Sequence, residues 1–390
     1  MGISGLKDAL SSIRGSGNYR SVADLRMLTA TRGLDRAGKE YVVFSSNNYL
    51  GLTHDESVVE AARAAASLGT GSTGARLTSG ASFELSALEE QIAAFKGVES
   101  ALVFNTGYMT NLGVLYALAG KRDVVFSDRL NHASIIDGCR ISGANVVVYK
   151  HNDIADLERL LSETPVSAEG RRFVVTDGVF SMDGDIVDLP GILSLKKKFA
   201  FCLIVDDAHA LGVIGRTGRG TAEHYGIDGG VDIQVGTLSK ALAAEGGYAA
   251  CSKEIRDYLV NKSRPFIFST SLPPMVAAAA SQALSILSSR GSGLLERLGG
   301  NTALMRSLLE DAGLPIVKGV TPIIPILVGS SEKALAFASA CREKGVMLCA
   351  IRPPSVPEGT SRIRLTVTAA HSKEEIEESA LIMKEIWRRI

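Results

Sequence analysis

The segment CLIVDDAHALGVIGRTGRG, residues 202–220, together with VDIQVGTLSKALA, residues 231–243, decides the fold class of this chain. Each segment begins with a short apolar run, which is typical of a buried parallel strand. The first run ends at Asp206, and the turn after the second run ends at Lys240. Open α/β sheets bind their ligands at the carboxyl ends of their strands. The two segments therefore predict a ligand site at one edge of a parallel sheet.

The chain around these segments favours a mostly parallel sheet. Seven apolar runs are predicted strands: ALVF (101–104), DVVFS (123–127), NVVVY (145–149), RFVVT (172–176), CLIVD (202–206), DIQVG (232–236) and GYAAC (247–251). Helix-like segments separate most of them, and this alternation predicts an α/β fold with helices on both faces of the sheet. GYAAC is expected to differ in direction, because its link from Lys240 is too short to hold a crossover helix.

The pattern also predicts the domain organisation. Residues 1–45 show little periodicity and are expected to form an N-terminal arm, residues 46–289 a large α/β domain, and residues 290–390 a smaller α+β domain. GLDRAGKE (33–40) and GTGSTG (69–74) are similar to nucleotide-binding loops, but neither has the strand and helix context that such a loop requires. Both are predicted to be turns or loops.

Composition argues against several kinds of partner. Lys+Arg and Asp+Glu both number 42, so the net charge is zero, whereas a nucleic-acid-binding protein usually has a basic surplus. No apolar run reaches the roughly 18 residues of a membrane span. The five cysteines include no CxxC pair, which is typical of reduced core thiols. We therefore predict a cytoplasmic protein that binds neither nucleic acid nor membrane.

Lys240 and Asp206 together indicate a cofactor. A lysine in such a turn is a candidate Schiff-base former, although most lysines are solvated surface residues. Asp206 favours the first interpretation, because pyridoxal 5'-phosphate (PLP) needs a lysine for its aldehyde and a carboxylate for its pyridine nitrogen. His209 could bond the phenolic oxygen of the ring, or could simply pack in its loop. His132, at the start of the predicted helix HASIIDG, could stack on the ring or could cap the helix.

Other residues are candidates for the phosphate and the substrate. NTGYMTN (105–111) follows a predicted strand and opens a helix, whose N–H groups suit an anion. Gly107 would allow close approach, and Tyr108 and Thr237 add hydroxyl groups; an ordinary strand-to-helix turn is the alternative. Arg352 precedes two prolines, and a fixed guanidinium suits a substrate carboxylate, with a surface salt bridge as the alternative.

Several segments, taken together, are similar to one known family. They are FSSNNYLGL, HASIIDG, TDGVFSMDGD, VDDAHALGVIGRTGRG, GTLSKALAAEGGY, FSTSLPP and RIRLTVTAAH, and they resemble motifs of the α-oxoamine synthases. The resemblance implies the aminotransferase-like fold of PLP-dependent transferases (fold type I), with a mostly parallel large-domain sheet and a smaller α+β C-terminal domain. It also implies an acyltransferase that condenses an amino acid with an acyl thioester and releases carbon dioxide.

The resemblance assigns a role to each candidate residue. Lys240 would hold the PLP aldehyde, Asp206 the pyridine nitrogen and His209 the phenolic oxygen, while His132 would stack on the ring. Further cofactor contacts are expected from Gly107, Tyr108, Ser181, Thr237, Ser269 and Thr270, and substrate contacts from Asn47, Arg352, Ser355 and Arg20. The family is homodimeric with shared sites, which implies that Ser269 and Thr270 serve the neighbouring subunit's phosphate pocket. Asp207 has no task in this scheme and is expected to be structural.

The same comparison of motifs bears on the substrates. AIRPPSVPEGTSRIRLTVTAAH (350–371) most resembles members that condense L-alanine with a pimeloyl thioester of CoA or acyl carrier protein. NHASIIDGCR and LSKAL also resemble members that use glycine and acetyl-CoA, the glycine C-acetyltransferases, which are the alternative assignment. The chain departs from the family pattern at Leu85, where the family has a histidine, and in the arm that contains Arg20.

Overall fold

The computed structural model describes residues 4–227 and 229–389. They divide into two compact units, which we call the sheet unit (Leu50–Ser181 and Asp185–Glu296) and the C-terminal unit (the described residues up to Tyr49, Met182–Gly184, and the described residues from Arg297 onward). Residues of the predicted arm therefore belong to the same compact unit as the C-terminal segment. The predicted division into an arm and two domains stays a prediction.

The strands of the described residues are as follows: β1 (Arg26–Met27), β2 (Arg32–Leu34), β3 (Glu40–Val43), β4 (Ser100–Phe104), β5 (Val124–Asp128), β6 (Asn145–Tyr149), β7 (Arg172–Asp177), β8 (Cys202–Asp206), β9 (Ile233–Thr237), β10 (Gly247–Cys251), β11 (Ile323–Gly329), β12 (Val346–Met347), β13 (Cys349–Ile351) and β14 (Ser361–Thr366).

The α-helices are α1 (Leu6–Gly15), α2 (Glu56–Ala65), α3 (Arg76–Ser79), α4 (Phe83–Lys96), α5 (Gly107–Leu118), α6 (Ala133–Ser142), α7 (Ile154–Glu163), α8 (Leu189–Lys196), α9 (Thr221–His224), α10 (Lys253–Lys262), α11 (Arg264–Ile267), α12 (Pro274–Asp311), α13 (Ser331–Glu343) and α14 (Lys373–Trp387). Two 3₁₀-helices span Leu52–His54 and Ala66–Leu68. Among the helices of the described residues, none is long and apolar enough to cross a membrane.

The seven predicted strands form the central sheet of the sheet unit, in the order β4-β10-β9-β8-β7-β5-β6. Pairs between β9, β8, β7, β5 and β6 are parallel, whereas β10 is antiparallel to both of its neighbours. The predictions of a mostly parallel sheet and of a reversed GYAAC strand are confirmed.

Burial on both faces explains the continuous apolar runs of these strands. Successive side chains of a strand point to opposite faces of the sheet. In β8, Leu203 and Val205 belong to one buried apolar cluster, and Ile204 between them belongs to another. Because apolar clusters bury both faces, the strand is apolar up to Asp206 at its carboxyl end.

The C-terminal unit contains two small sheets. One has the order β11-β14-β13, with antiparallel pairs, and the other has the order β1-β2-β3-β12. GLDRAGKE connects β2 to β3 as a turn, as predicted. The arm was expected to show little periodicity; it contains helix α1, and its strands β1 and β2 were missed. Strands of two and three residues are too short to show an alternating pattern.

Candidate active site

A cavity of about 200 Å³ lies at the carboxyl ends of the central strands in the sheet unit. The side chains and backbone that line it are Thr106, Gly107, Tyr108, His132, Ser134, Asp177, Asp206, Ala208, His209, Thr237, Ser239 and Lys240. They come from the N-terminal turns of two helices and from the ends of three strands. The structure thus brings together seven of the predicted site residues.

Lys240 and His209 are in direct contact within this cavity. The Nζ atom of Lys240 lies 2.8 Å from Nε2 of His209. Lys240 follows β9, and His209 follows the neighbouring parallel strand β8. Adjacent parallel strands end at the same edge of a sheet, which explains why residues distant in sequence meet there.

Asp206 ends β8, and its side chain is held on both oxygens. It is 4% exposed. Its Oδ2 accepts a hydrogen bond from Nδ2 of Asn111 at 2.6 Å, and its Oδ1 accepts one from the backbone N–H of Ala208 at 2.8 Å. Hydrogen bonds to an ionised carboxylate are among the stronger ones in proteins. The carboxylate is therefore fixed in position at the cavity wall.

His132 caps helix α6 and also lines the cavity. Its Nδ1 accepts from the backbone N–H of Ser134 at 3.3 Å and lies 2.7 Å from Oγ of Ser134. Burial lowers the pKa of His132; the charge of Asp206 raises it, and that of Lys240 lowers it. The structure confirms the capping role of His132; that His132 stacks on a cofactor ring stays a prediction.

Asp177, at the end of β7, was missed by the sequence analysis. Its Oδ2 accepts a hydrogen bond from the backbone N–H of His132 at 2.7 Å. Burial and the neighbouring charge of Asp206 raise the pKa of Asp177 well above its ordinary value. The signal that could have found it is the one used for Asp206, because RFVVTD also ends a buried strand in a carboxylate.

One end of the cavity has the features of an anion site. Helix α5 begins at Gly107, and Thr106 caps it by accepting from the backbone N–H of Met109 at 3.0 Å. A Cβ atom on Gly107 would lie 3.3 Å from Cβ of Thr237, so glycine allows this turn to approach β9 closely. The hydroxyl of Tyr108, a residue 41% exposed, donates to Asp137. Free N–H groups and hydroxyls at a helix N-terminus suit a phosphate.

Three predicted cofactor residues are not among the described residues that line the cavity. Ser181 is half-buried in the loop after β7. Ser269 is half-buried, and Thr270 is exposed. The backbone carbonyl of Thr270 accepts from Nδ2 of Asn105 at 2.7 Å. Leu85 is a core residue, 1% exposed.

The predicted substrate residues belong to the C-terminal unit. Arg352 is 9% exposed, and one of its guanidinium nitrogens donates to the carbonyl of Gly17. Its Nε is buried and has no hydrogen-bond partner among the described residues. Ser355, in the same loop, is exposed, and its backbone N–H donates to the carbonyl of Arg352 at 3.1 Å. Arg20 donates to the carbonyl of Pro353 at 3.3 Å.

Asn47, the remaining substrate candidate, is also in the C-terminal unit. Its Oδ1 accepts from Nη1 of Arg364 at 2.9 Å. Arg364 is buried and bonds Oγ1 of Thr366 through the same nitrogen at 3.0 Å. Arg364 was not among the predicted site residues, although RIRLTV places it in a strand with alternating charge, which is unusual in a buried element.

Asp207 has the structural surroundings that the sequence analysis expected. Its Oδ2 lies 2.8 Å from Nζ of Lys96, and both side chains are almost fully buried. Its Oδ1 accepts from the hydroxyl of Thr221 at 2.6 Å. The adjacent carboxylates therefore differ in environment: Asp206 lines the cavity, and Asp207 lies in a buried ion pair.

Comparison with known proteins places the chain in a family. Residues 39–381 match the family Aminotransferase class I and II. The chain belongs to this family. It is 46% identical over 387 residues to an 8-amino-7-oxononanoate synthase of Trichlorobacter lovleyi, with 99% of this chain and 98% of the relative covered.

Two solved structures show the same fold. A serine palmitoyltransferase variant of S. paucimobilis with a bound PLP–myriocin adduct has a TM-score of 0.92 at 31% identity, with 99% of this chain and 97% of that chain covered. An 8-amino-7-oxononanoate synthase of Francisella tularensis has a TM-score of 0.75 at 27% identity, with 90% and 98% covered. The predicted fold, the type I fold of PLP-dependent transferases, and the predicted family of PLP-dependent enzymes are confirmed.

The residues at the cavity fit PLP chemically. The cofactor requires an amine for its aldehyde, a carboxylate for its pyridine nitrogen and hydrogen-bond donors for its phosphate. Lys240 supplies the amine, Asp206 supplies a fixed carboxylate, and the first turn of α5 supplies donors. Gly107 has no side chain, so a phosphate could approach the backbone of that turn closely.

Proposed function

We propose that this chain catalyses the PLP-dependent, decarboxylating condensation of L-alanine with a pimeloyl thioester. The products are 8-amino-7-oxononanoate, carbon dioxide and a free thiol, which places the chain in biotin biosynthesis. The observation that carries the proposal is the meeting of Lys240 and Asp206 in one cavity at the ends of adjacent strands. The choice of substrates is supported by the full-length similarity to 8-amino-7-oxononanoate synthases.

Four cavity residues would hold the cofactor ring. Lys240 would bind the aldehyde carbon, Asp206 the pyridine nitrogen and His209 the phenolic oxygen, and His132 would lie against the ring face. When bound, PLP supplies a pyridinium ring that accepts electrons from the Cα atom of the amino acid. The doubly hydrogen-bonded carboxylate of Asp206 supports this proposal, since a carboxylate held there would stabilise a protonated pyridine nitrogen.

Lys240 would also move the proton of the reaction. With alanine bound in the cavity, the Nζ of Lys240 would take the Cα proton and later return a proton to the same carbon. The 2.8 Å hydrogen bond with His209 positions Nζ for both steps. A base must lie within hydrogen-bond reach of the proton that it transfers.

The substrate contacts are proposed from the C-terminal unit. Arg352 would bind the alanine carboxylate through its guanidinium group, whose Nε has no hydrogen-bond partner within the part of the chain that the structure describes. Asn47 would contribute a further polar contact to the amino acid. Ser355 and Arg20, near the same loop, would contact the acyl donor.

The proposed assembly is a cytoplasmic homodimer with shared sites. Ser269 and Thr270, which do not line the cavity of their own chain, would contact the phosphate bound by the partner subunit. Gly107, Tyr108 and Thr237 would hold the phosphate from within the same chain, and Ser181 would add a contact to the cofactor. The thioester would be carried by CoA or by an acyl carrier protein.

The experiment that tests the substrate assignment is a thiol-release assay on the PLP-loaded protein. Acyl-CoAs of graded chain length, from acetyl to pimeloyl, are each combined with L-alanine or with glycine, and pimeloyl-acyl carrier protein is tested in parallel. We expect the highest kcat/KM with L-alanine and a pimeloyl thioester. A higher kcat/KM with glycine and acetyl-CoA would replace the proposal by a glycine C-acetyltransferase.

A further inference from the structure

A chain of buried hydrogen bonds runs behind the cavity wall between helices α5 and α6. Asn111 is 1% exposed, and its Nδ2 lies 2.6 Å from Oδ2 of Asp206 and 2.9 Å from Oγ of Ser134. The same Oγ lies 2.7 Å from Nδ1 of His132. We propose that Asn111 and Ser134 are positioning residues, which fix the Asp206 carboxylate and the Nε2–H tautomer of His132 in one arrangement.

The orientation of the Asn111 amide follows from its neighbour. An ionised carboxylate can only accept hydrogen bonds, so the amide nitrogen of Asn111 must face Asp206. With the amide reversed, two acceptor oxygens would lie at hydrogen-bond distance. The Oδ1 atom of Asn111 is buried and has no hydrogen-bond partner among the described residues. The hydrogen bonds from its N–H groups to Asp206 and Ser134 thus orient the amide, and its oxygen accepts no hydrogen bond from the described residues.

The tautomer of His132 follows from two donors at Nδ1. Ser134 accepts the second N–H of Asn111 at Oγ, so its own hydroxyl proton is directed to Nδ1 of His132. The backbone N–H of Ser134 points to the same Nδ1 at 3.3 Å, and a backbone N–H can only donate. The neutral imidazole therefore carries its proton on Nε2.

This arrangement connects Asp206 and His132, two proposed cofactor contacts that are distant in the sequence. Asp206 would serve the pyridine nitrogen, and His132 would lie on the ring face. Asn111 donates to Asp206, and through Ser134 it orients His132. Neither Asp206 nor His132 can therefore reorient without breaking one of these hydrogen bonds. Residues that orient a direct ligand commonly affect affinity strongly, even though they do not touch the bound group. The inference rests on the proposed function for the identity of the cofactor only.

The first test reads the tautomer directly. In PLP-loaded protein with ¹⁵N-labelled histidine, the six histidines are resolved by their ring-nitrogen signals, and His132→Gln identifies the signals of His132. We expect an unprotonated Nδ1 and a protonated Nε2. Ser134→Ala removes the 2.7 Å hydroxyl contact and leaves only the 3.3 Å backbone contact at Nδ1, so it should give a mixture of tautomers. Ser134→Thr should retain the wild-type signals, and Ser142→Ala, on the same helix, should change nothing. A proton on Nδ1 in the wild type, or an unchanged spectrum in Ser134→Ala, overturns the proposal.

The second test separates positioning from helix packing. Asn111→Ala should raise the dissociation constant for PLP about tenfold, the effect of losing a hydrogen bond to a charged group, and should alter the absorbance of the bound cofactor. Leu115→Val, in the core face of the same helix, should lower stability and leave both readouts unchanged. If Asn111→Ala binds PLP as the wild type does, with the same absorbance, Asn111 has a packing role only.

These readouts do not depend on the substrate assignment. A chain that binds PLP normally but condenses other substrates would contradict the proposed function and leave the positioning proposal intact. A wild-type chain whose His132 carries its proton on Nδ1 would contradict only the positioning proposal.

Discussion

The Nζ atom of Lys240 lies 2.8 Å from Nε2 of His209, and both side chains line one cavity. An ammonium group has only donors, so Nε2 of His209 is the acceptor when Lys240 is charged. This hydrogen bond holds the lysine nitrogen near the end of β9, in the cavity that Asp206 at the end of β8 also lines. It gives the proposed nucleophile and base a defined position before any ligand is present.

Lys240→Ala should abolish covalent attachment of the cofactor. Wild-type protein freed of excess PLP and then treated with borohydride should carry one phosphopyridoxyl group on Lys240, because hydride reduces the imine between Nζ and the aldehyde carbon to a stable secondary amine. Peptide mass spectrometry measures the label. Lys262→Ala, at an exposed helical position, is the matched control. Retention of a stoichiometric label and of activity in Lys240→Ala would show that the lysine assignment is wrong.

Asp206→Asn should reduce turnover and leave the fold intact. Asparagine has a single amide oxygen, so it keeps only one of the two hydrogen bonds, the one from Asn111 or the one from Ala208. The negative charge at the pyridine nitrogen is lost, and we expect kcat to fall by about 10²-fold or more, as when other preorganised electrostatic contacts are removed. Steady-state kinetics at full PLP occupancy measure the effect. Unchanged kcat in a fully loaded variant is the contrary result.

Asp207→Asn should instead destabilise the protein. The substitution leaves the buried ammonium of Lys96 without its ion-pair partner, and breaking a buried ion pair on one side typically costs about 3–5 kcal/mol. Urea unfolding measures the loss, and the PLP absorbance of the folded fraction should not change. The double variant Lys96→Met/Asp207→Asn should recover part of the stability, because no charge remains buried. A single variant as stable as the wild type would refute the structural role.

His151 should make stability depend on pH. It lies 2.9 Å from carboxylates of both Asp128 and Asp185. Burial opposes its charge, but the hydrogen bonds to the two carboxylates outweigh burial and raise the pKa of His151 from 6.5 to about 10. The folded state therefore holds a proton that the unfolded state releases above pH 6.5, so stability falls as pH rises toward 10.

The comparison with His151→Gln isolates this contribution. Wild type should exceed the variant in free energy of unfolding below pH 6.5, by on the order of 1.5–3 kcal/mol for hydrogen bonds to charged groups. The difference should shrink between pH 6.5 and about 10. Urea denaturation of both proteins across this range provides the measurement. A difference that is constant with pH would mean that His151 is neutral in the folded protein.

Local patterns were sufficient to predict most of the sheet and the centre of the cavity. The central strands are buried on both faces, so they appear in the sequence as continuous apolar runs. Asp206 and Lys240 could be identified because a charged group at the end of a buried apolar run costs free energy unless it has a partner or a ligand. The short strands β1 and β2 could not be found, since they contain too few residues to show a period.

Features that depend on hydrogen-bond direction were out of reach of the sequence. Asn111 and Ser134 are ordinary polar residues of two predicted helices, and only their meeting behind the cavity wall indicates a role. The contact of Arg352 with the carbonyl of Gly17 joins residues from opposite ends of the chain. No local pattern encodes a contact of this kind. Asp177, in contrast, was accessible by the rule that identified Asp206.

The proposed reaction couples condensation to decarboxylation, and one isotope experiment tests this coupling most directly. PLP-loaded protein is supplied with [1-¹³C]-L-alanine and pimeloyl-CoA, and ¹³CO₂, free CoA and 8-amino-7-oxononanoate are quantified together. We predict that the three products form in equal amounts. Release of ¹³CO₂ without free CoA would indicate a simple decarboxylase. Formation of pyruvate without any of the three products would indicate an aminotransferase. Either result would contradict the proposed function.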